Sequence, residues 1–437
     1  MASVDELIYD KLTDADDARL CDEIGDDACR ETPRSFSLIL FSAFLTKLGD
    51  AIASPKTTLA WLCTALGAPA FVLGFIVPIR ESGSMLPQLF IGSAIRRLPI
   101  RKWVWVAGSA GQFLCIAGIG LVAFFLHGKS AGLAILALIT LFSLARGFCS
   151  VAAKDVMGKT VPRAKRGQLT GWSASAAGLV SVAAGAVLLT PAASKLEAPQ
   201  LGILLVAAGL LWLVAAALYA RVTEYPGETG GGRNAMEALK KLLILLEDKP
   251  FRRFIITRAL LMCSALSAPF YVALAQSNIG SPIYLLGAFV LAAGLADLVS
   301  APVWGRFADI SSRRVMISAA LTTSATGIAT LLVDLSLPGL SGTMWFLPCA
   351  YFVLSVAHSG VRVGRKTYVV NLATGNQRTD YVAISNTIIG LLLLVVGSIG
   401  VLAPTIGNAG VIGLLSLMGL AGALLGTRLP EVDAARS

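Results

Sequence analysis

From Ser35 onward the chain alternates between long apolar stretches and short polar turns. The apolar stretches run to about 20 residues or more, the length an α-helix needs to cross a bilayer core. Twelve can be marked out, at 36–63, 68–93, 102–126, 131–159, 168–190, 199–221, 252–276, 283–307, 313–333, 343–368, 381–404 and 408–427. A backbone in lipid must satisfy its own hydrogen bonds, so the pattern predicts an all-α membrane protein of twelve transmembrane helices. The longest connection, 222–251, follows the sixth stretch. It opens with the Pro/Gly-rich turn TEYPGETGGGR and continues as NAMEALKKLLILLEDKPFRRF, where Ala235, Leu239, Leu242 and Leu246 share one helical face. A short amphipathic helix on the inner membrane surface, or a plain tether, is expected there. The chain thus divides into a tail (1–34), a six-helix bundle (35–222), a linker (223–251), a second six-helix bundle (252–428) and a short tail (429–437).

Composition agrees with this reading: 56% of residues are hydrophobic and 14% are charged, against roughly a quarter charged in soluble domains. Residues 1–34 hold eleven acids and four bases, with neither the basic start nor the apolar middle of a signal peptide. They read as a disordered acidic tail. The rest of the chain is basic, which raises nucleic acid as a partner, but the location of the bases argues otherwise. Eighteen, among them Arg96, Arg97, Arg101, Arg163 and Arg378, fall in the turns of one side, against Lys129 and Lys195 on the other. This asymmetry puts both termini in the cytoplasm, at a plasma (inner) membrane. Seven cysteines without a C-x-x-C pair, two histidines and the lack of a Walker loop or hydrolase spacing give no sign of a disulfide framework, a metal, a cofactor or an enzyme.

The two halves repeat. GSAIRRLPIRK (92–102) follows the second stretch and GRFADISSRR (305–314) the eighth. KTVPRAKRGQL (159–169) and KTYVVNLATGNQRTDYV (366–382) follow the fourth and tenth. With its six-plus-six layout, the chain resembles the major facilitator superfamily, whose loop motif is roughly G-x-x-x-D-R-x-G-R-R. The later copy matches at Gly305, Asp309, Arg313 and Arg314, with Ile310 and Ser312 departing. The earlier copy keeps Gly92 and Arg97, with Arg96 for the Asp, Pro99 for the Gly, and Arg101 and Lys102 displaced by one. The resemblance implies a gating role for Asp309, Arg313 and Arg314. Asp155 is expected to latch onto Arg96, Arg97 or Arg101. In ARGFCSVA, Arg146 matches the arginine of the R-x-x-x-G motif of proton-coupled members, while Ser150 stands in place of its glycine. The antiporter motif of the fifth span is not recognisable.

Ionisable groups at membrane depth are expensive and mark pathways or structural pairs. On the second span Arg80, Glu81, Ser84, Pro87 and Gln88 share about a third of the helix circumference. On the first, Lys47 and Asp50 lie three residues apart on a polar stripe and are expected to pair. Lys56 is expected to point elsewhere and snorkel. Asp297 stands alone in the eighth span. In the tenth, His358 reads as a hydrogen-bonded packing residue or a titrating one. Arg362, Arg365 and Lys366 read as interfacial anchors. For Asp50, Arg80, Glu81 and Arg146 a structural salt-bridge cluster competes with substrate or proton handling.

The cationic stripes favour an anionic or zwitterionic organic solute. The function expected is secondary active transport by alternating access, coupled to protons through Glu81 or Asp50. Efflux of drugs or toxic compounds and uncoupled facilitation are the alternatives, and a non-transporting receptor is the least favoured. The partners expected are a small-molecule substrate, a coupling ion and the bilayer.

Overall fold

The computed structural model describes residues 5, 6, 9, 29–87, 91, 94–95, 97–190, 198–227, 229, 248–372 and 377–433. Gln88, Gly92, Arg96 and the expected amphipathic face Ala235–Leu246 lie outside the described residues. All regular structure among the described residues is helical.

The first group comprises α1 (Thr32–Ile52), α2 (Thr58–Ala65), α3 (Ala70–Met85), α4 (Lys102–Phe125), α5 (Gly128–Thr160), α6 (Arg163–Leu188) and α7 (Ala198–Ala220). The second comprises α8 (Lys249–Leu260), α9 (Cys263–Leu266), α10 (Ala268–Ile279), α11 (Ile283–Ile310), α12 (Ser312–Ser336), α13 (Pro338–Ser341), α14 (Phe346–Leu372), α15 (Gln377–Gly397) and α16 (Ala403–Gly426). A 3₁₀ turn, Ser398–Leu402, joins α15 to α16.

Two expected spans are broken. The first splits at Ala53–Thr57 into α1 and α2, because Pro55 offers no N–H and restricts Ser54 before it. The seventh splits around Leu261–Met262 and again at Ser267, ahead of Pro269 in the first turn of α10. Against the twelve spans expected, ten stretches among the described residues are long and apolar enough to cross a bilayer. The difference has a simple origin. α3, at 16 residues, is too short to count alone. The 43-residue run Ile384–Gly426 merges the last two expected spans into one.

α4 packs on α5 and α7, α1 on α6 and α7, and α3 on α5. In the second group α12 packs on α14 and α16, α11 on α14, and α10 on α16. Large apolar side chains also point outward: Phe125 is 77%, Leu335 71% and Leu424 70% exposed. Water would penalise such a surface, but lipid solvates it. The groups meet through α6 on α11, α3 on α15 and the 3₁₀ turn, and α2 on α10. Gly74, Gly397 and Gly400 make the α3 contact possible. A Cβ added at Gly400 would lie 2.6 Å from the Cα of Gly74, so only glycines let these backbones touch. The same end carries the Leu66–Gly128 turns, where the Gly128 N–H donates to the Leu66 carbonyl at 2.8 Å.

Candidate functional site

Between the groups lies a cavity of about 680 Å³, within the range of small-molecule sites. α1, the Ala53–Thr57 break, α3, α5 and α6 line one wall; α9, α10, α11 and α14 line the other. The lining includes the cations Lys47, Lys56, Arg80, Arg146 and Arg362 and the carboxylates Asp50, Glu81 and Asp297.

Asp50 is the hub of the first wall. Its Oδ1 accepts from Arg80 Nη2 at 2.7 Å, and its Oδ2 pairs with Arg146 Nη1. One carboxylate therefore ties α1 to α3 and α5. The Arg80 guanidinium also lies 4.5 Å above the Phe142 ring, a cation–π contact that suits a desolvated cation. Lys47, expected to pair with Asp50, instead donates to Ser173 Oγ on α6 at 2.7 Å. The spacing within α1 could not reveal that two guanidiniums on other helices claim the carboxylate. Ser84 lines the cavity, its hydroxyl donating to the Glu81 carbonyl at 2.8 Å. The Glu81 carboxylate makes no ion pair among the described residues, but it lies in the field of Lys56, Arg80, Arg365 and Arg146.

Lys56 corrects the sequence reading most sharply. The helix break turns its side chain into the cavity, where Nζ lies 2.8 Å from His358 Nε2 on α14. His358 Nδ1 lies 3.0 Å from Ser264 Oγ, and Ser264 Oγ donates to the Leu261 carbonyl at 3.0 Å. An ammonium can only donate. Nε2 therefore accepts, Nδ1–H donates to Ser264, and the serine hydroxyl donates in turn to the Leu261 carbonyl. A bond network thus crosses from one helix group to the other. On the far wall Asp297, expected to stand alone, accepts from Arg362 Nη2 at 3.0 Å. Arg362 also donates to Ser359 Oγ at 3.2 Å, so it belongs to the cavity and does not act as an interfacial anchor.

The loop-motif residues lie away from the cavity, at the ends of the helix groups. Asp155 pairs with Arg101 and, at 3.1 Å, with Lys159. Glu224, after α7, has a side chain that is 0% exposed; it accepts from Lys159 Nζ at 2.9 Å. It also accepts from the backbone N–H groups of Arg101 and Lys102 at the start of α4. The second group repeats the device. Glu431 accepts from Ser311 Oγ at 2.9 Å and pairs with Arg313 Nε at 3.3 Å. Asp433 accepts from the Ser312 N–H at 2.6 Å and from Asn371 Nδ2. Arg97, Asp309 and Arg314 are exposed, and Asp309 forms no ion pair among the described residues. Gly305 is half-buried, with open space where a Cβ would sit. Cys29 is disulfide-bonded, contrary to the expectation of no disulfide; Cys63, Cys115, Cys149, Cys263 and Cys349 are free.

Sequence reasoning missed Lys56, Ser264, Glu224, Glu431 and Asp433. Only the Ser54-Pro55 pair carried a usable signal, as a mid-span breaker of the kind transporters use at binding sites.

No family model matches the chain, and no curated protein matches it in sequence. Solved structures do match. The chain is similar to the xylose transporter XylE of E. coli in an inward-open conformation, at 13% identity and a TM-score of 0.67, over 92% of this chain and 98% of that one. It is similar to a mutant of the nucleoside transporter NupG at 12% identity and a TM-score of 0.68, over 90% and 99%. It is also similar to a POT family transporter in complex with 5-aminolevulinic acid, at 12% and 0.66, over 90% and 95%. Near-complete coverage in both directions, with a charged cavity between two helix groups, gives the chain the fold of the major facilitator superfamily.

Proposed function

We propose that the chain is a secondary active transporter that moves a small organic anion or zwitterion across a plasma (inner) membrane by alternating access, coupled to protons. Two six-helix bundles, 35–222 and 252–428, would be the moving bodies, in a twelve-span arrangement with cytoplasmic termini. The observation that carries the reading is the charge of the cavity: five cations against three carboxylates around about 680 Å³. Arg80 and Arg146 share the single Asp50, which leaves a surplus positive charge on that wall. Arg146 remains 37% exposed with further N–H donors to spare. A carboxylate between Arg146 and Lys47 would complete the wall; its second group, in a zwitterion, would face Asp297 or Glu81.

Of the two proton-carrier candidates the geometry favours Glu81. Both oxygens of Asp50 are committed to guanidiniums, so protonating it would disconnect three helices. Glu81 can take and release a proton without breaking an ion pair. In this reading the relatives' substrates (xylose, nucleoside, peptide) are examples of what such a cavity can hold. The test is uptake by proteoliposomes. A panel of carboxylate and amino-acid solutes should accumulate under an imposed proton gradient. Glu81→Gln should lose that accumulation while retaining exchange of preloaded solute. Accumulation by Glu81→Gln at the parent level refutes the assignment. A complete lack of exchange by the parent across the panel refutes the substrate class.

A further inference from the structure

Where α8, α14 and α15 meet, cations gather without a counter-ion among the described residues. Arg258 on α8 is 6% exposed. Its Nη1 donates to Ser385 Oγ and its Nη2 to Asn386 Oδ1, the latter at 2.9 Å. Its Nε, also buried, has no acceptor among the described residues. Arg365 on α14 acts on Arg258 electrostatically, and its own buried Nε likewise lacks an acceptor among the described residues. Lys366 adds a third positive charge that feels both. Among the described residues no carboxylate pairs with any of the three. The carboxylate that reaches Arg365 and Lys366 is Glu81 of α3, beyond ion-pair distance and also in the field of Lys56.

Ser385 and Asn386 solvate a guanidinium but cannot cancel its charge. Arginine cannot shed its proton to escape burial, and an uncompensated buried ion is costly. Two arginine forks with unused N–H groups, beside a lysine, fit an anion with several oxygens. We propose that Arg258, Arg365 and Lys366 form a second anion site, which holds a carboxylate or phosphate group next to the central cavity. Arg362, one turn earlier on α14, and Ser264, beyond Arg258 along the broken span, both line that cavity. The site is separate from the Asp50 hub, which belongs to α1, α3 and α5. It requires no transport cycle, so it stands or falls apart from the proposed function. A soluble anion and the headgroup of an anionic lipid present the same chemistry.

The experiment is titration of the full-length protein with inorganic phosphate at constant ionic strength, in nanodiscs of phosphatidylcholine alone or with added phosphatidylglycerol. Phosphate should raise the thermal unfolding midpoint of the parent in phosphatidylcholine. Arg258→Gln and Arg365→Gln should each weaken the response about tenfold, while Arg365→Lys, which keeps the charge but loses the fork, should fall between Arg365→Gln and the parent. Lys129→Gln, exposed at the start of α5, should leave it intact. If phosphatidylglycerol replaces the phosphate effect in the parent but not in Arg365→Gln, a lipid headgroup occupies the site and the assignment holds. Should Arg258→Gln fail to fold, Arg365→Gln and Lys366→Gln carry the test. The proposal is overturned if neither phosphate nor phosphatidylglycerol affects the parent, or if Arg365→Gln responds as the parent does.

Discussion

At the scale of single residues, a charge inside a membrane protein is judged by its partners. Asp50 is 22% exposed and Arg80 11%, yet each has an opposite charge within hydrogen-bond distance. Removing the carboxylate would leave two guanidiniums facing each other with no anion between them. Breaking one side of a buried pair costs about 3–5 kcal/mol; with Arg146 37% exposed to the wet cavity, the expected cost of Asp50→Asn is about 2 kcal/mol. Thermal unfolding in detergent should report it, and the Asp50→Asn/Arg146→Gln double variant should recover part of the loss by removing the repulsion. Equal stability of Asp50→Asn and the parent would mean that the hub holds nothing together. The sequence made Asp50, Arg80, Glu81 and Arg146 stand out, because charges are rare in apolar stretches. It could not pair them, since helical spacing reports neighbours on one helix and these bonds join three.

At the scale of elements, breaks and ends matter more than helix interiors. Hydropathy located the spans well, because lipid imposes the same length and polarity on each. It also treated each span as one continuous rod. That assumption misplaced Lys56: on an unbroken helix it faces away from the Asp50 stripe, whereas the Pro55 break carries it to His358. The ends were hidden for another reason. Glu224, Glu431 and Asp433 follow the seventh and sixteenth helices in ordinary polar turns, and nothing local links them to helices begun a hundred residues earlier. Each nonetheless meets the start of a helix, α4 or α12: Glu224 and Asp433 accept from N–H groups that have no partner within the helix, and Glu431 accepts from the Ser311 hydroxyl. Glu224 is the more deeply buried, and it also holds Lys159. Glu224→Ala would strand two backbone donors and leave Lys159 with Asp155 and the Pro99 carbonyl as its partners. The expected destabilisation is about 2–3 kcal/mol, read as a lowered unfolding midpoint. Asp433→Ala, in a half-buried setting, should cost less. A Glu224→Ala protein as stable as the parent would show that water replaces the carboxylate without penalty.

At the scale of the whole molecule, close contacts between the groups include a set at one end. There α2 meets α10, with Gln276 Nε2 donating to the Trp61 carbonyl at 3.2 Å, and α3 meets the 3₁₀ turn through Gly74 and Gly400. Under the proposed alternating access this end parts and re-forms, so the glycine contact should act as a seal whose geometry sets which side of the cavity is open. A valine at Gly400 cannot occupy the present arrangement, because even its Cβ would fall 2.6 Å from the Gly74 Cα. The groups must then separate at this end. Ser54, in the break that lines the cavity, offers a reporter position once it carries a thiol. Among the described residues Cys63, Cys115, Cys149 and Cys263 are buried, Cys29 is disulfide-bonded and Cys349 is exposed, so Cys349→Ser supplies a background without that exposed thiol. In that background, a membrane-impermeant thiol reagent applied from the Leu66–Gly128 side should leave Ser54→Cys unlabelled when Gly400 is native and label it when Gly400→Val is added. Solute binding should survive in Gly400→Val, since no cavity side chain changes, while exchange should fall because the seal cannot re-form. Equal labelling with and without Gly400→Val would mean that this end does not close the cavity, and the two groups would have to alternate by some other contact.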